Sequence, residues 1–221
     1  MTAGFSGLKT PLTVTSRAET RSSPRPDTTA SESIRRRWDA RHAAAPGAGE
    51  AAQVLVANEH LLPARGRALD LACGLGANAL RLAALGLDTE AWDLSPVAIE
   101  RLRAEAGRRG LRLEARVRDV EAEPPPAAAF DVVVVSHFLA RDLAPALEGA
   151  LRPGGLLFYQ TFTREAVGER GPSNPEYRLA RNELLRLFPH LVVRCYREEG
   201  RLGDCARGHR DLAFLVGQRP S

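Results

Sequence analysis

Three carboxylates and a pair of glycines fall at spaced intervals in the first half of the sequence. Asp70 stands four positions before Gly74 in "RALDLACGLGANAL", Asp93 closes "DTEAWD", and Asp119 follows "EARVR". Gly74, Gly76 and Ala79 satisfy the G-x-G-x-x-[GA] pattern in which bare backbone approaches a pyrophosphate at a helix N-terminus. Asp70 changes that reading. A carboxylate aimed at the loop repels a phosphate and attracts an ammonium or sulfonium group. Asp93 and Asp119 can accept hydrogen bonds, as the hydroxyls of a ribose and the amino group of an adenine donate them. Together the acids describe a phosphate-free nucleoside with a positively charged arm. S-adenosylmethionine is such a molecule, and a nicotinamide dinucleotide is the competing ligand.

Groups of this kind need a rigid frame. The apolar runs "RALDLA", "DTEAWDL", "LRLEARV", "FDVVVVS" and "GGLLFYQTF" alternate with helical patterns from about Ala77, from Ser95, near 143–151 and near 179–187. "HLVVRCYRE" and "RDLAFLVGQ" then close the chain. This alternation predicts an α/β fold with a doubly wound, mostly parallel seven-stranded sheet and helices on both faces. Ser95 followed by Pro96 marks a helix start, the serine oxygen capping free amides and the proline sitting where a missing N–H costs nothing. Only about a dozen residues without helical pattern join the last two strands, which should pair as an antiparallel hairpin at one edge. Ligands of open parallel sheets bind beyond the carboxyl ends of the strands. Residues 70–76, Asp93, Asp119 and residues 136–141 should therefore face one crevice. Upstream, "SESIRRRWDARHAAA" and "AGEAAQVLVANEHLL" read as two helices over residues 31–62. The first 30 residues, rich in Ser, Thr, Pro and Arg, read as a disordered tail before a single domain at 31–221.

The segments "LDLACGLGANAL", "WDLSPVAIERL", "RDVEAEP", "FDVVVVSHFL" and "LRPGGLLFYQTF" resemble the ordered motifs of class I S-adenosylmethionine-dependent methyltransferases, across residues 34–218. The resemblance implies a Rossmann-like fold with S-adenosyl-L-methionine as cofactor. It implies that Asp70, Gly74 and Gly76 hold the methionine end, Asp93 grips the ribose diol and Asp119 contacts the adenine. Ala72, Cys73, Asn78, Leu94, Val120 and Ser136 complete the expected cofactor contacts. Ala72 stands where the family often has glycine, which implies an ordinary negative φ there. A valine at Gly76 is expected to block the cofactor while leaving the sheet folded. "WDARH", "FLARDLAPAL", "YQTF" and "GPSNPEYRLARNELLRLF" are similar to the tellurite-resistance type. In that type an N-terminal helix covers the cofactor, so Trp38 and Arg41 are lid candidates, with Arg41 reaching the methionine carboxylate. A packing anchor and a surface charge are the alternatives.

Methyl transfer is an in-line displacement that requires position and a dry site more than a catalytic triad. The acceptor is expected to be a small molecule, such as a chalcogen oxyanion or a thiol, met by segments after the fourth and fifth strands. His137 is the candidate catalytic base, its ordinary pKa lying near neutrality, or else a packed side chain. Phe138 and Arg141, Tyr159 and Thr161, and His209 and Arg210 are the substrate candidates. Residues 164–177 read as a mobile substrate loop whose Arg164 and Arg170, with the following Arg178, suit an anion or solvent. Cys73 fills a tight turn or is a reactive thiol. The Asp/Asn-Pro-Pro-aromatic sequence that the resemblance associates with amino-group methyltransferases does not follow the fourth strand, where "SHFL" stands instead, which argues against that group.

Composition sets outer bounds. The chain has 221 residues, 44% of them hydrophobic, enough for one domain with a sizeable core. The longest apolar run breaks at Ser136 and His137, so no membrane span is expected. Cys73, Cys195 and Cys205 make no even disulfide framework and have no ligand spacing with His42, His60 or His190, so no metal site and a cytoplasmic setting are expected. The net charge of +4 comes from arginines dispersed among nearly as many acids, a pattern that does not predict a nucleic-acid partner. An NAD-dependent oxidoreductase, a nucleic-acid methyltransferase and a non-catalytic S-adenosylmethionine-binding module remain the alternatives.

Overall fold

The computed structural model describes residues 28–221, and the expected tail lies, up to residue 27, outside the described residues. The strands are β1 (Arg67–Leu71), β2 (Asp88–Asp93), β3 (Glu114–Val117), β4 (Phe130–Ser136), β5 (Leu151–Phe162), β6 (Val192–Glu198) and β7 (Leu212–Gln218). They form one seven-stranded sheet in the order β3-β2-β1-β4-β5-β7-β6. β1 to β5 pair in parallel, and β7 runs antiparallel between β5 and β6. The hairpin expected at the edge is present, with β6 as its outer strand.

The helices are α1 (Thr28–Ala44), α2 (Gln53–Val56), α3 (Ala77–Ala84), α4 (Pro96–Arg108), α5 (Ala144–Ala150) and α6 (Glu183–Leu187). They cover both faces, which is why "DVVVV" is apolar at consecutive positions. Ala68, Val132, Val134, Leu156, Phe158, Phe214 and Val216 pack with Val54 and Leu55 of α2 on one face. Leu69, Leu71, Val133, Val135, Leu157 and Tyr159 pack with α5 and α6 on the other. The cap expected at α4 is as predicted: Ser95 Oγ accepts from the Ala98 amide, with Pro96 at the first helical position.

Two upstream elements differ from expectation. α1 begins at Thr28, before Ser31. The second expected helix shortens to the single turn α2 and a 3-10 turn at Glu59–Leu61. Gly49 is left-handed at φ 72° and Ala52 is extended at ψ 138°. The amides of Ala52 and Val54 are taken by Asn78 Oδ1 at 2.8 Å and Gln160 Oε1 at 3.0 Å. These side chains supply the acceptors that another helical turn would have supplied. With Val54 and Leu55 fully buried, α2 is built into the core, and α1 alone crosses the carboxyl ends of the first strands.

Candidate active site

The chain leaves β1 through a tight reversal in which Ala72, Gly74 and Gly76 are left-handed, at φ 54°, 53° and 77°. The negative φ expected at Ala72 is thus corrected. The Cys73 amide donates to the Trp92 carbonyl on β2 at 3.0 Å, which turns the chain sharply straight after the strand. Asp70 lies fully buried under this loop. Its Oδ2 accepts from the Ala79 amide at 3.0 Å and its Oδ1 from Asn78 Nδ2 at 3.3 Å. The carboxylate therefore occupies the N-terminal end of α3, where a dinucleotide would place its phosphates. Removal from water pushes the Asp70 carboxyl up to about 7 against the pull of these bonds, with Asp93 adding to the rise.

Asp93 is 8% exposed, its Oδ2 accepting from the Gly74 amide at 2.7 Å and its Oδ1 from the Ser95 amide at 2.9 Å. Burial raises its carboxyl, while the two amides and His42 oppose the rise. Each oxygen keeps a second lone pair for a donor from the crevice. Gly74 offers bare backbone, with a Cβ there standing 3.2 Å from His42 Cε1. Gly76 has a different reason to be glycine, since a Cβ would run into the side chain of Leu102. The expectation that a larger residue at Gly76 would spare the fold is therefore corrected. Asn78 is a structural hub, donating to Ser136 Oγ at 3.0 Å as well as to Asp70 and accepting from Ala52. Asp119 is half-buried, its Oδ1 accepting from the Glu121 and Ala122 amides at 3.1 and 3.2 Å. Leu94 is half-buried and the Val120 side chain is buried in the core. Burial, with Asp70 and Asp93 nearby, pushes the Cys73 thiol well above its ordinary range, opposite to what a reactive thiol requires.

α1 lies over these acids. Ser31 Oγ donates to Asp119 Oδ2 at 3.3 Å, Ser95 Oγ donates to Asp39 Oδ1 at 2.5 Å, and the His42 ring sits at Gly74. Arg101 of α4 holds the helix end through the carbonyls of His42 and Ala45. Trp38 stacks on His42 at 5.6 Å, and the Arg41 guanidinium stands 5.3 Å from the Trp38 ring. Asp39 and His42 were missed in the sequence, although their i, i+3 spacing puts them on one helix face.

At the end of β4, His137 is left-handed at φ 56°, its amide donates to the Gln160 carbonyl at 2.8 Å, and its ring lies 5.1 Å from that of Phe162. The ring is exposed, and its pKa is lowered by partial removal from water and by the charges of Arg170 and Arg41. Tyr159 and Thr161 are corrected as substrate candidates. Strand alternation turns them to the opposite face from Gln160 and Phe162, both are buried, and Tyr159 Oη donates to the Phe138 carbonyl at 2.9 Å. Phe138 itself packs half-buried on the core.

Arg141 pairs with Glu183 at 2.6 Å and donates to the Glu176 and Arg178 carbonyls. Arg210 is spent within its own loop on the carbonyls of Arg207, Gly200 and Asp204. The half-buried His209 ring rests 5.0 Å from Phe214. The loop expected to be mobile is cross-tied. Arg178 donates to the carbonyls of Pro172, Thr163 and Arg170, and Asp211 Oδ1 accepts from the Val167 and Gly168 amides.

Among the described residues, no group of three or more His, Cys, Asp or Glu is arranged to hold a metal ion, and no helix is long and apolar enough to cross a membrane. A methyltransferase-domain family model matches residues 68–155. The chain is 41% identical over 103 residues to a ubiquinone biosynthesis O-methyltransferase of Methylocella silvestris, a match covering 44% of this chain and 40% of that protein. Matches to the curated relatives thus span less than half of their length. The crystal structure of TehB from Haemophilus influenzae superposes with a TM-score of 0.61 at 20% identity, over 75% of this chain and 61% of that one. A structure of the conversion of a disulfide bond into a thioacetal group during echinomycin biosynthesis gives a TM-score of 0.66 at 25% identity, over 85% and 92%. Residues 68–155 thus match a methyltransferase domain, and the sheet around them has the Rossmann-like fold of the solved structures it superposes on.

Proposed function

We propose that this protein transfers the methyl group of S-adenosylmethionine to an oxygen or sulfur nucleophile on a small molecule. The observation that carries the reading is the Asp70 carboxylate at the N-terminus of α3. A dinucleotide needs that place for its phosphates, whereas a sulfonium and an ammonium are stabilised by a buried negative charge beneath them. S-adenosylmethionine, when bound, supplies a methyl group on positively charged sulfur. Asp93 accepts from the ribose diol, Asp119 accepts from the adenine, and the bare backbone of Gly74 lets the methionine arm lie close. α1 closes over the adenosine, and Arg41 faces the methionine carboxylate. His137, whose pKa is lowered by its surroundings, would accept the proton that the acceptor loses on methylation.

Oxygen as nucleophile is supported by the O-methyltransferase named above and sulfur by the thioacetal-forming neighbour. Isothermal titration with S-adenosylmethionine and with NADH tests the cofactor, and binding of NADH alone overturns the proposal. Asp93→Ala should weaken S-adenosylmethionine binding by about 2 to 3 kcal/mol, since it removes charge-assisted hydrogen bonds. Transfer of labelled methyl across phenols, thiols, oxyanions and amines then identifies the acceptor. No transfer to any of them would leave a binding module instead of an enzyme.

A further inference from the structure

We infer that Arg170 selects the acceptor, by holding an oxyanion group of the small molecule beside His137. The inference rests on the methyl-transfer reading for its place in the reaction. Arginines cluster in this segment, but most are spent. Arg164 is tied to the Pro175 carbonyl and Glu176, Arg178 to three carbonyls, and Arg181 to Glu165. Arg170 makes no side-chain hydrogen bond or ion pair among the described residues. Its backbone is nevertheless fixed. The Arg170 carbonyl accepts from Arg178 at 2.5 Å, and Gly171, at φ 92°, lies so close to Phe162 that a Cβ would stand 2.6 Å from the ring. His137 rests on that same ring at 5.1 Å.

The charges that lower His137 are those of Arg170 from this loop and Arg41 from α1. The acids thus stand at the ends of β1 and β2 and after β3, while Arg170 and Arg41 act on His137 at the end of β4. With Arg41 directed to the cofactor's own carboxylate, Arg170 is the cation left for the acceptor. A carboxylate or an inorganic oxyanion placed there meets a guanidinium suited to paired hydrogen bonds. It also offsets the two positive charges that depress His137, which strengthens the ring as a proton acceptor.

The test follows the His137 ring by NMR in the full chain, with its resonance identified by loss in His137→Gln. The probes are benzoate, inorganic phosphate and the neutral benzamide. At least one anion should raise the His137 titration midpoint in the unmodified protein, and benzamide should not. Arg170→Ala should abolish the shift and weaken binding of that anion about tenfold or more, while Arg170→Lys retains part of both. Benzoate alone identifies an organic acid and phosphate alone an inorganic oxyanion. Equal anion binding by Arg170→Ala, no response to either anion, or a benzamide response matching benzoate would each overturn the assignment. S-adenosylmethionine titrated into Arg170→Ala should bind unchanged. A chain that takes the anions but not S-adenosylmethionine refutes the cofactor reading and leaves the anion site standing.

Discussion

The two ends of the crevice are built from opposite materials. At β1 and β2, carboxylates accept from backbone amides, with Asp70 taking Ala79 and Asp93 taking Gly74 and Ser95. Beyond β4 and β5, guanidiniums donate to backbone carbonyls, Arg141 taking two, and Arg178 and Arg210 three or more each. The first arrangement sets carboxylates under the crevice, and the second spends guanidiniums on carbonyls and on Glu183 and Glu199, which leaves Arg170 as the unpaired one in its loop among the described residues. One end suits a cationic donor of hydrogen bonds, and at the other only Arg170 is placed to meet an anion. The ends also differ in what they are attached to. The acids sit on strand ends inside the sheet, whereas the arginines tie together loops that stand outside it.

Breaking each attachment should therefore give different losses. Gly76→Val forces a side chain into a left-handed residue and against Leu102, which costs about 3 kcal/mol or more. Thermal unfolding followed by circular dichroism should show a large drop or no folded protein. Arg178→Ala removes three donors but leaves the sheet intact, for about 1 to 2 kcal/mol. Its melting temperature should move little, while limited proteolysis should cut residues 164–178 faster. Equal global losses from both substitutions would show that the arginine-tied loops are part of the same cooperative unit as the sheet.

A subtler difference is in pH response. Asp70 has its carboxyl raised to about 7 by burial, so it is charged at pH 8 and mostly neutral at pH 6. A cationic ligand binds the charged form better. Its affinity should fall as pH drops below 7, by up to about tenfold per unit, with protons released on binding near neutrality. Titration in two buffers of different ionisation enthalpy measures that release. For folding, the raised carboxyl means that the folded chain holds an extra proton between about pH 4 and 7. The contribution to stability is present below the ordinary carboxylate range and is lost as pH rises through about 7. Asp70→Asn should flatten both dependences, and anion probes at Arg170 should show no matching release.

Strand periodicity made the frame legible, because alternation and turn residues survive in any sequence with two covered faces. The three acids and the hairpin were equally readable. The errors have physical causes. Tyr159 and Thr161 have the chemistry of substrate ligands, but the strand's period of two turns Gln160 and Phe162 toward His137 instead. Asp39 and His42 sit on a helix whose polar face gives no sign of which side meets the sheet. The arginine clamps left no trace because their partners are carbonyls, which every residue carries. Arg141 and Arg210 thus looked available when they are spent.

The smallest effect compares the two left-handed residues that are not glycine at either end of the crevice, Ala72 and His137, at φ 54° and 56°. For an L-residue this conformation costs about 1 to 2 kcal/mol, and glycine recovers that at an entropic cost of about 0.5 to 1 kcal/mol. Ala72 packs partly buried on the core, so Ala72→Gly should stabilise the fold by only about 0.5 kcal/mol. Cofactor affinity should not change, since the loop already adopts the conformation glycine prefers. His137→Gly relieves the same strain, yet it should remove the anion-linked titration and methyl transfer together. Strain at Ala72 is then a tolerated feature of the turn, while strain at His137 is kept because it aims the imidazole into the crevice. If Ala72→Gly lowers stability instead, packing of the methyl outweighs the backbone term, and the turn is held by the core and not by Asp93.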